Sequence, residues 1–427
     1  MNSTHPMAPK ITAPRGTQDF LPPQTQRWQE AESRIHQLAR RYGYGEVRTP
    51  IFEATELFVR GVGETTDIVE KEMYTFVDKG GRGMTLRPEF TAPVMRAAIE
   101  HNLFASGPQR LYYLGPIFRY ERPQKGRYRQ SHQFGIECTG FAGPEADVEV
   151  MALAMHLFRS YGIEVRLELN SIGDAHCRPR YRDALLAHFR PHLRNLSEDS
   201  QRRLERNPLR LLDSKAAEDQ VLLQSAPAFE SYLCDACRAH FEAVKRYLDR
   251  IAVPYNVNPR IVRGLDYYTR TVFEFVSDAL GAQSTVCAGG RYDELIKSLG
   301  GPDVPAVGFA LGLERLLLTI EAAHPEPAAE RTGIQLVALG DQPKEVLVTL
   351  AALLRYSLSV PIFMDYDDRK LLAQLKIADR NLARYALIVG SEEVAAGQAV
   401  LRDLTERTDR RIALGADLVQ DLGKVAC

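Results

Sequence analysis

Three clusters of residues in this chain have types and spacing suited to chemistry on a charged ligand. The first is RLYYLGPIFRYE, residues 110–121, followed by RQSHQFGIECTGF, residues 129–141. Both segments are rich in aromatic and branched side chains and read as strands. The link between them, RPQKGRY, carries Pro123 and Gly126, so the pair reads as a long antiparallel hairpin. Side chains alternate faces along a strand, which sets Arg119 with Glu121 on one strand and Gln133 with Glu137 on the other. On a generic hairpin such a face is solvated. Here the tip carries Arg122, Lys125, Arg127 and Arg129, a set suited to phosphate oxygens. The second cluster is RGLDYYTRTVFEF, residues 263–275, in which Arg263, Asp266, Tyr267 and Tyr268 precede a strand. Arginine with tyrosine at a strand entrance can clamp an anionic or aromatic ligand, although tyrosine in a core is the plainer reading. The third is AVGFALGLERLLL, residues 306–318, where a strand meets a helix at Gly312 and Arg315 falls in the first helical turn. A helix start with an arginine can receive a phosphate, against the plainer reading of a surface arginine paired with an acid.

These clusters need a scaffold, and the periodicities supply one. Trp28, Ala31, Ile35, Leu38 and Tyr42 recur at helical spacing over 26–42. Residues 46–53 carry Pro50 and suit an edge or irregular strand. Residues 178–250 are rich in Arg, Leu and Ala and predict a mainly helical insertion, after which strand signals resume. Leu313, Leu316, Leu317 and Ile320 mark a further helix. Residues 322–332 form a linker with two prolines. Beyond it IQLVAL, a helix over 344–357, VPIFMD, a helix over 369–383 and YALIVG alternate as β-α-β-α-β, which predicts a small α/β domain.

Length and composition narrow the function classes. The 427 residues suggest two or three domains, and 45% hydrophobic with 26% charged residues is ordinary for a globular protein. No apolar stretch approaches a membrane span, and Met1 to Lys10 lack the apolar core of a secretory signal. Six cysteines make no disulfide framework, which favours a reducing cytoplasm. Cys234 and Cys237 have metal spacing, with Cys177 earlier and Asp174 and His176 beside it. One C-x-x-C pair is a weak signal, so these are read as thiols and no metal is assigned. The glycine-rich nucleotide signatures are absent, so a bound nucleotide would be held by arginines and Mg²⁺. The net charge of -1 argues against a nucleic-acid partner until it is resolved locally. Residues 178–210 hold nine arginines against four acids, and the hairpin tip is basic as well. Attraction to phosphates acts over about 8 Å in physiological salt, so these two patches outweigh the sum.

Taken together, the three clusters resemble the signature motifs of class II aminoacyl-tRNA synthetases. YGYGEVRTPIFE is similar to the first motif, FRYE with its following strand to the second, and GFALGLER to the third. RGLDYYTRTVFEF and CAGGRYDEL resemble the two histidine-specific segments of the histidyl-tRNA synthetases. RGTQDFLP, EKEMYTF, TLRPEFTAP, ERPQKGRYRQ and ELNSIG follow in the same order, from about Arg15 to the C-terminus. The resemblance implies an α/β fold: an α+β catalytic core on an antiparallel sheet over residues 1–325, a mainly helical insertion at about 175–255, a linker at 326–332, and an anticodon-binding α/β domain at 333–427. It implies a cytoplasmic homodimer that takes ATP with Mg²⁺, L-histidine and tRNA(His), and no membrane.

Site residues are implied in the same way. Arg119 and Arg263 are the catalytic pair on the α-phosphate. Arg119, Glu121, Arg127 and Arg315 bind ATP. Glu89, Phe90, Thr91, Arg119, Gln133, Glu137, Arg263, Tyr267, Tyr268 and Tyr292 surround histidine, with Glu137 and the tyrosines at the imidazole. Two positions depart from the family. Phe90 replaces the usual glycine and is expected to reshape the pocket. Ser131 stands where an aromatic usually stacks on adenine, a loss of roughly 1–3 kcal/mol. The competing assignment is a synthetase-like regulatory subunit of ATP phosphoribosyltransferase. Such paralogues lack the C-terminal domain and lose site arginines, and this chain has both.

Overall fold

In the computed structural model, residues 10–63, 66–261, 265–324 and 330–426 are described. The first expected helix forms at Gln24–Arg41 and buries Trp28, Ala31, Ile35 and Leu38. It packs with the helices Pro144–Ser160 and Asp235–Arg250 into one apolar core. That core lies against an eight-stranded sheet. In spatial order its strands are Gly45–Glu46, Gln109–Phe118, Gln130–Thr139, Ala306–Gly312, Thr285–Arg291, Thr269–Val276, Arg166–Ser171 and Tyr255–Val257. The two outermost pairings are parallel and all the others antiparallel.

The two-residue alternation of these strands divides core from site. Phe134, Ile136 and Cys138 enter the core, as do Phe273, Phe275, Val307, Phe309 and Leu311. Gln133, Glu137, Glu274, Gly308 and Ala310 alternate with them and line a cavity. One detail departs from the expectation. The first hairpin strand ends at Phe118, so Arg119 and Glu121 lie beyond it rather than sharing a strand face. The Arg119 N–H still donates to the Arg129 carbonyl at 2.9 Å, and the Glu121 N–H donates to the Arg119 carbonyl at 2.8 Å. The chain therefore turns tightly at the point where both side chains are needed. Residues 46–53 also divide: Gly45–Glu46 joins the edge of the large sheet, and Phe52–Ala54 joins a separate three-stranded sheet with Tyr74–Val77 and Gly83–Leu86.

Between Arg178 and Arg250 the described elements are all helical. Tyr181, Leu185, Phe189, Leu204 and Phe229 form their apolar centre. The strand carrying CAGGRY is anchored by charge. Arg291 and Asp147 are both fully buried and paired, and Arg291 also donates to the carbonyls of Phe141 and Gly143 at 3.0 Å each. Burial alone would raise the Asp147 pKa, but the Arg291 charge and hydrogen bonds from His240 and Arg291 bring it down to about 2. The pair thus stabilises the fold above the ordinary carboxylate range, and that contribution is lost as pH falls towards 2. Removing one partner of a buried pair strands the other charge. Asp147→Asn should therefore cost about 3 kcal/mol or more, read from the urea midpoint.

The chain divides at His324, and the second unit runs from Pro325 to Cys427. Its sheet orders Ile362–Met364, Ile334–Leu339, Tyr385–Gly390, Gln398–Asp403 and Thr408–Ala413. The first three strands are parallel, as the β-α-β-α-β alternation predicts. The last two form an antiparallel addition that the sequence reading did not include.

Candidate active site

A cavity of about 460 Å³ opens on the large sheet. Eleven of the expected site residues line it: Glu89, Thr91, Arg119, Glu121, Arg127, Gln133, Glu137, Tyr267, Tyr268, Tyr292 and Arg315. They form two linked groups.

The first group is built on two buried carboxyls. Glu89 precedes the helix Thr91–Glu100, and its carboxylate accepts the N–H groups of Thr91 at 2.7 Å and Ala92 at 2.8 Å. It therefore caps two of the donors that any helix start leaves unpaired. Burial raises its pKa, while those two N–H groups and the Arg119 charge act in the opposite direction. The Thr91 hydroxyl donates to Glu137 at 2.8 Å, and the Tyr292 hydroxyl bonds the other Glu137 oxygen. Burial raises the Glu137 pKa to about 8, despite the Tyr292 and Thr91 bonds. Tyr292 and Tyr113 are fully buried and Tyr267 is partly buried, and desolvation pushes all three hydroxyls well above the ordinary range, so they stay neutral.

This floor depends on two glycines. A Cβ on Gly135 would stand 2.2 Å from the Tyr113 hydroxyl, and one on Gly308 would stand 2.2 Å from a Glu137 oxygen. Only hydrogen fits at either place. The buried Tyr113 hydroxyl and Gln133 Oε1 have no hydrogen-bond partner within the protein. Buried polar atoms of that kind are costly unless a ligand meets them.

The second group is a set of guanidiniums. Arg119 is oriented by its Nε, which donates to the Pro88 carbonyl at 2.7 Å, next to Glu89. Glu121 lies 3.9 Å from Arg119 and 3.3 Å from Arg127. Arg315 donates to the Gly126 carbonyl at 3.2 Å and to the Thr285 carbonyl at 2.5 Å, tying the hairpin tip to a neighbouring strand. Burial lowers the Arg315 pKa, and the charges of Arg127 and Arg119 lower it further. Three guanidiniums crowded around one carboxylate are suited to a polyanion. Glu314, beside Arg315 in the first helical turn, accepts the His132 N–H at 3.0 Å. A carboxylate already stands at that helix start, so a phosphate would be met by the arginine rather than by the helix end.

Two expected residues are not among these eleven. Phe90 does not line the cavity. Its ring is buried, stacked on Tyr113 at 4.3 Å between centroids, with the Arg87 guanidinium 3.9 Å from its own centroid. It packs behind Tyr113 rather than on the cavity wall where the resemblance put it. Arg263 lies outside the described residues. Ser131 lines the cavity, as does Tyr128. Sequence reading missed Tyr113, Glu274 and Lys215, all of which line the cavity. Alternation from Glu137 across the hairpin register, Tyr113 opposite Gly135, would have found the first. No spacing pointed to Lys215, which comes from the insertion.

Residues 16–316 match the family model "Histidyl-tRNA synthetase", and residues 336–418 match "Anticodon binding domain". The chain is 50% identical over 408 residues to a histidine–tRNA ligase of Geobacillus thermodenitrificans, covering 94% of this chain and 96% of that protein. Among solved structures it resembles the apo histidyl-tRNA synthetase of S. aureus at TM-score 0.81 and 38% identity, covering 96% and 99% of the two chains. A Bacillus halodurans structure titled as an ATP phosphoribosyltransferase regulatory subunit/histidyl-tRNA synthetase shares the fold at TM-score 0.65 and 22% identity, covering 90% of this chain and 100% of that one. The identity and coverage favour the ligase over the regulatory subunit. The chain belongs to the histidyl-tRNA synthetase family of ATP-dependent aminoacyl-tRNA ligases.

Proposed function

We propose that this cavity activates L-histidine with ATP and that the chain then charges the 3′ end of tRNA(His). The observation that carries the reading is one cavity with buried carboxyls in one linked group and crowded guanidiniums in the other. A zwitterionic amino acid with a basic side chain suits the first group, and a triphosphate suits the second.

In this reading Glu89, Thr91 and the unpaired Gln133 Oε1 receive the α-ammonium. Glu137 and Tyr292 meet the imidazole, flanked by Tyr267 and Tyr268. A histidine carboxylate oxygen attacks the α-phosphorus, the bond from that phosphorus to the bridging oxygen breaks, and pyrophosphate leaves. Arg119, with Arg263, stabilises the charge that gathers on the α-phosphate. Arg127 and Arg315 hold the far end of the triphosphate. Glu121 and Glu274 are cavity carboxylates near those arginines. Both fit a Mg²⁺ carried on the phosphates, and such an ion would offset phosphate charge. In the second step a hydroxyl of the terminal adenosine attacks the acyl carbon, AMP leaves, and a phosphate oxygen takes the hydroxyl proton.

The remaining parts of the reading rest on surfaces. Ile51, Phe52, Phe76 and Val77 are exposed on or beside the three-stranded sheet, with Val77 70% accessible. An apolar patch of that kind supports a homodimer through the first motif. Exposed Arg122, Lys125, Arg180, Arg182, Arg190 and Arg194 form the two basic patches that would face tRNA. Among the described residues no helix is long and apolar enough to cross a membrane. The six cysteines without a disulfide framework support a cytoplasmic site of action.

ATP–pyrophosphate exchange against the full set of amino acids tests this reading. Exchange with histidine alone is the expected outcome. Absence of exchange with any amino acid would overturn it.

A further inference from the structure

Outside the cavity, the fold gathers a second set of reactive side chains. Asp174 and Cys177 follow the strand Arg166–Ser171, and Cys234 and Cys237 begin the helix Asp235–Arg250. Their four ligand atoms, one carboxylate oxygen and three sulfurs, all lie within 4.8 Å of one another. In a tetrahedral zinc site with Zn–S near 2.3 Å the sulfurs stand about 3.8 Å apart. Small rotamer adjustments close that difference.

The surroundings are arranged as a ligand set needs. Asp174 Oδ1 accepts the N–H groups of His176 at 3.0 Å and Cys177 at 3.3 Å, which fixes the carboxylate plane. Its other oxygen, Oδ2, lies 4.0 Å from Cys234 Sγ and 3.9 Å from the Arg270 guanidinium. The Cys234 N–H donates to Cys177 Sγ at 3.1 Å. Backbone bonds to a ligating sulfur and a fixed carboxylate are the outer-shell partners that orient metal ligands. A Cβ on Gly173 would stand 2.5 Å from the Cys177 Cβ, so a glycine is required where the chain closes on the cluster. Cys177 and Cys237 are buried, while Asp174 and Cys234 are partly exposed, which leaves an entry path.

We propose that Asp174, Cys177, Cys234 and Cys237 bind one Zn²⁺ as a structural ion that pins the neck of the helical insertion. Binding releases the three thiol protons to solvent and forms three Zn–S bonds and one Zn–O bond. Three thiolates favour a soft ion, and four tetrahedral donors without an open position suit a structural site rather than a catalytic one. The assignment reverses the sequence-based reading of these cysteines as thiols. A single C-x-x-C pair gave too little, because half of the ligand set comes from 57 residues earlier in the chain.

The position gives the ion a purpose. The chain leaves the sheet before Cys177, and Cys234 begins the helix Asp235–Arg250 that packs back into the main core, so one ion would fasten both ends of the segment between them. The first residue of the insertion's opening helix, Arg178, bonds the Tyr268 carbonyl, and Arg270 on the adjacent strand faces Asp174. Loosening the neck would therefore also loosen the tyrosine segment of the cavity.

Elemental analysis of the full-length purified chain should find about one zinc per chain. Cys234→Ser and Cys237→Ser should lose it, and Cys138→Ser should keep it. Where a variant fails to fold, the parental chain still decides. Releasing its zinc with a thiol-binding mercurial should speed proteolytic cleavage within 178–233 roughly tenfold or more, since an ion bound only by the folded neck stabilises it. Cobalt reconstitution should also give the intense visible absorption of a tetrahedral thiolate site. Zinc below about one tenth of an equivalent would overturn the proposal, whether Cys234 and Cys237 are then free or joined as a disulfide.

Discussion

Glu137→Gln should lower kcat/KM for histidine in pyrophosphate exchange by roughly 10³-fold or more, with the chain still folded. Both Glu137 oxygens are engaged, one by the Thr91 hydroxyl and one by Tyr292. An amide keeps one acceptor oxygen and turns the other position into a donor. It cannot accept from Thr91, Tyr292 and an imidazole N–H together, so a buried group is left unpaired. The same residue gives a pH signature in stability. Its pKa rises from 4.5 to about 8 on burial, so the folded chain holds a proton that the unfolded chain has lost. The contribution to stability is fully present below the ordinary carboxylate range and is lost as pH rises to about 8. The thermal midpoint of the parent, measured against Glu137→Gln, should fall across that window. A constant difference, or exchange at the parental rate, would remove Glu137 from its assigned role.

Arg119→Ala should reduce kcat by roughly 10³-fold, with a smaller change in the KM for ATP. The carboxylate and the α-phosphate are both anionic, and their approach needs positive charge already held in place. The bond from Arg119 Nε to the Pro88 carbonyl provides that orientation before any ligand arrives. Arg119→Lys should recover only part of the loss, because an ammonium lacks the planar fork that holds two phosphate oxygens. Exchange rates at saturating histidine, with ATP varied, separate the two parameters. A loss confined to KM would make Arg119 a binding residue only.

Much of the site was legible as pattern. The period-two alternation of RQSHQFGIECTGF set Gln133 and Glu137 on one face and Phe134, Ile136 and Cys138 on the other. A strand leaves no third choice, so that division survives folding. The helix over Leu313–Ala323 and the β-α-β-α-β alternation of the second unit were legible for the same reason. The end of a strand was not. Arg119 and Glu121 continue the aromatic run, but the ladder stops at Phe118.

Motif order and side-chain chemistry are local properties of the chain, so the family resemblance and the residues suited to phosphate, carboxylate and imidazole could be read before folding. The concentration of positive charge in the hairpin tip and the insertion could be read in the same way. The packed fold set where Phe90 points, because that depends on the ring of Tyr113 and on the Arg87 guanidinium, which come from other parts of the chain. It alone placed Tyr113 and Lys215 at the cavity, and it alone raised the Glu137 pKa, since burial is a property of the packed whole. It also joined Asp174 and Cys177 to Cys234 and Cys237. Donor atoms separated by 57 residues become one cluster only when the chain between them folds back to the sheet.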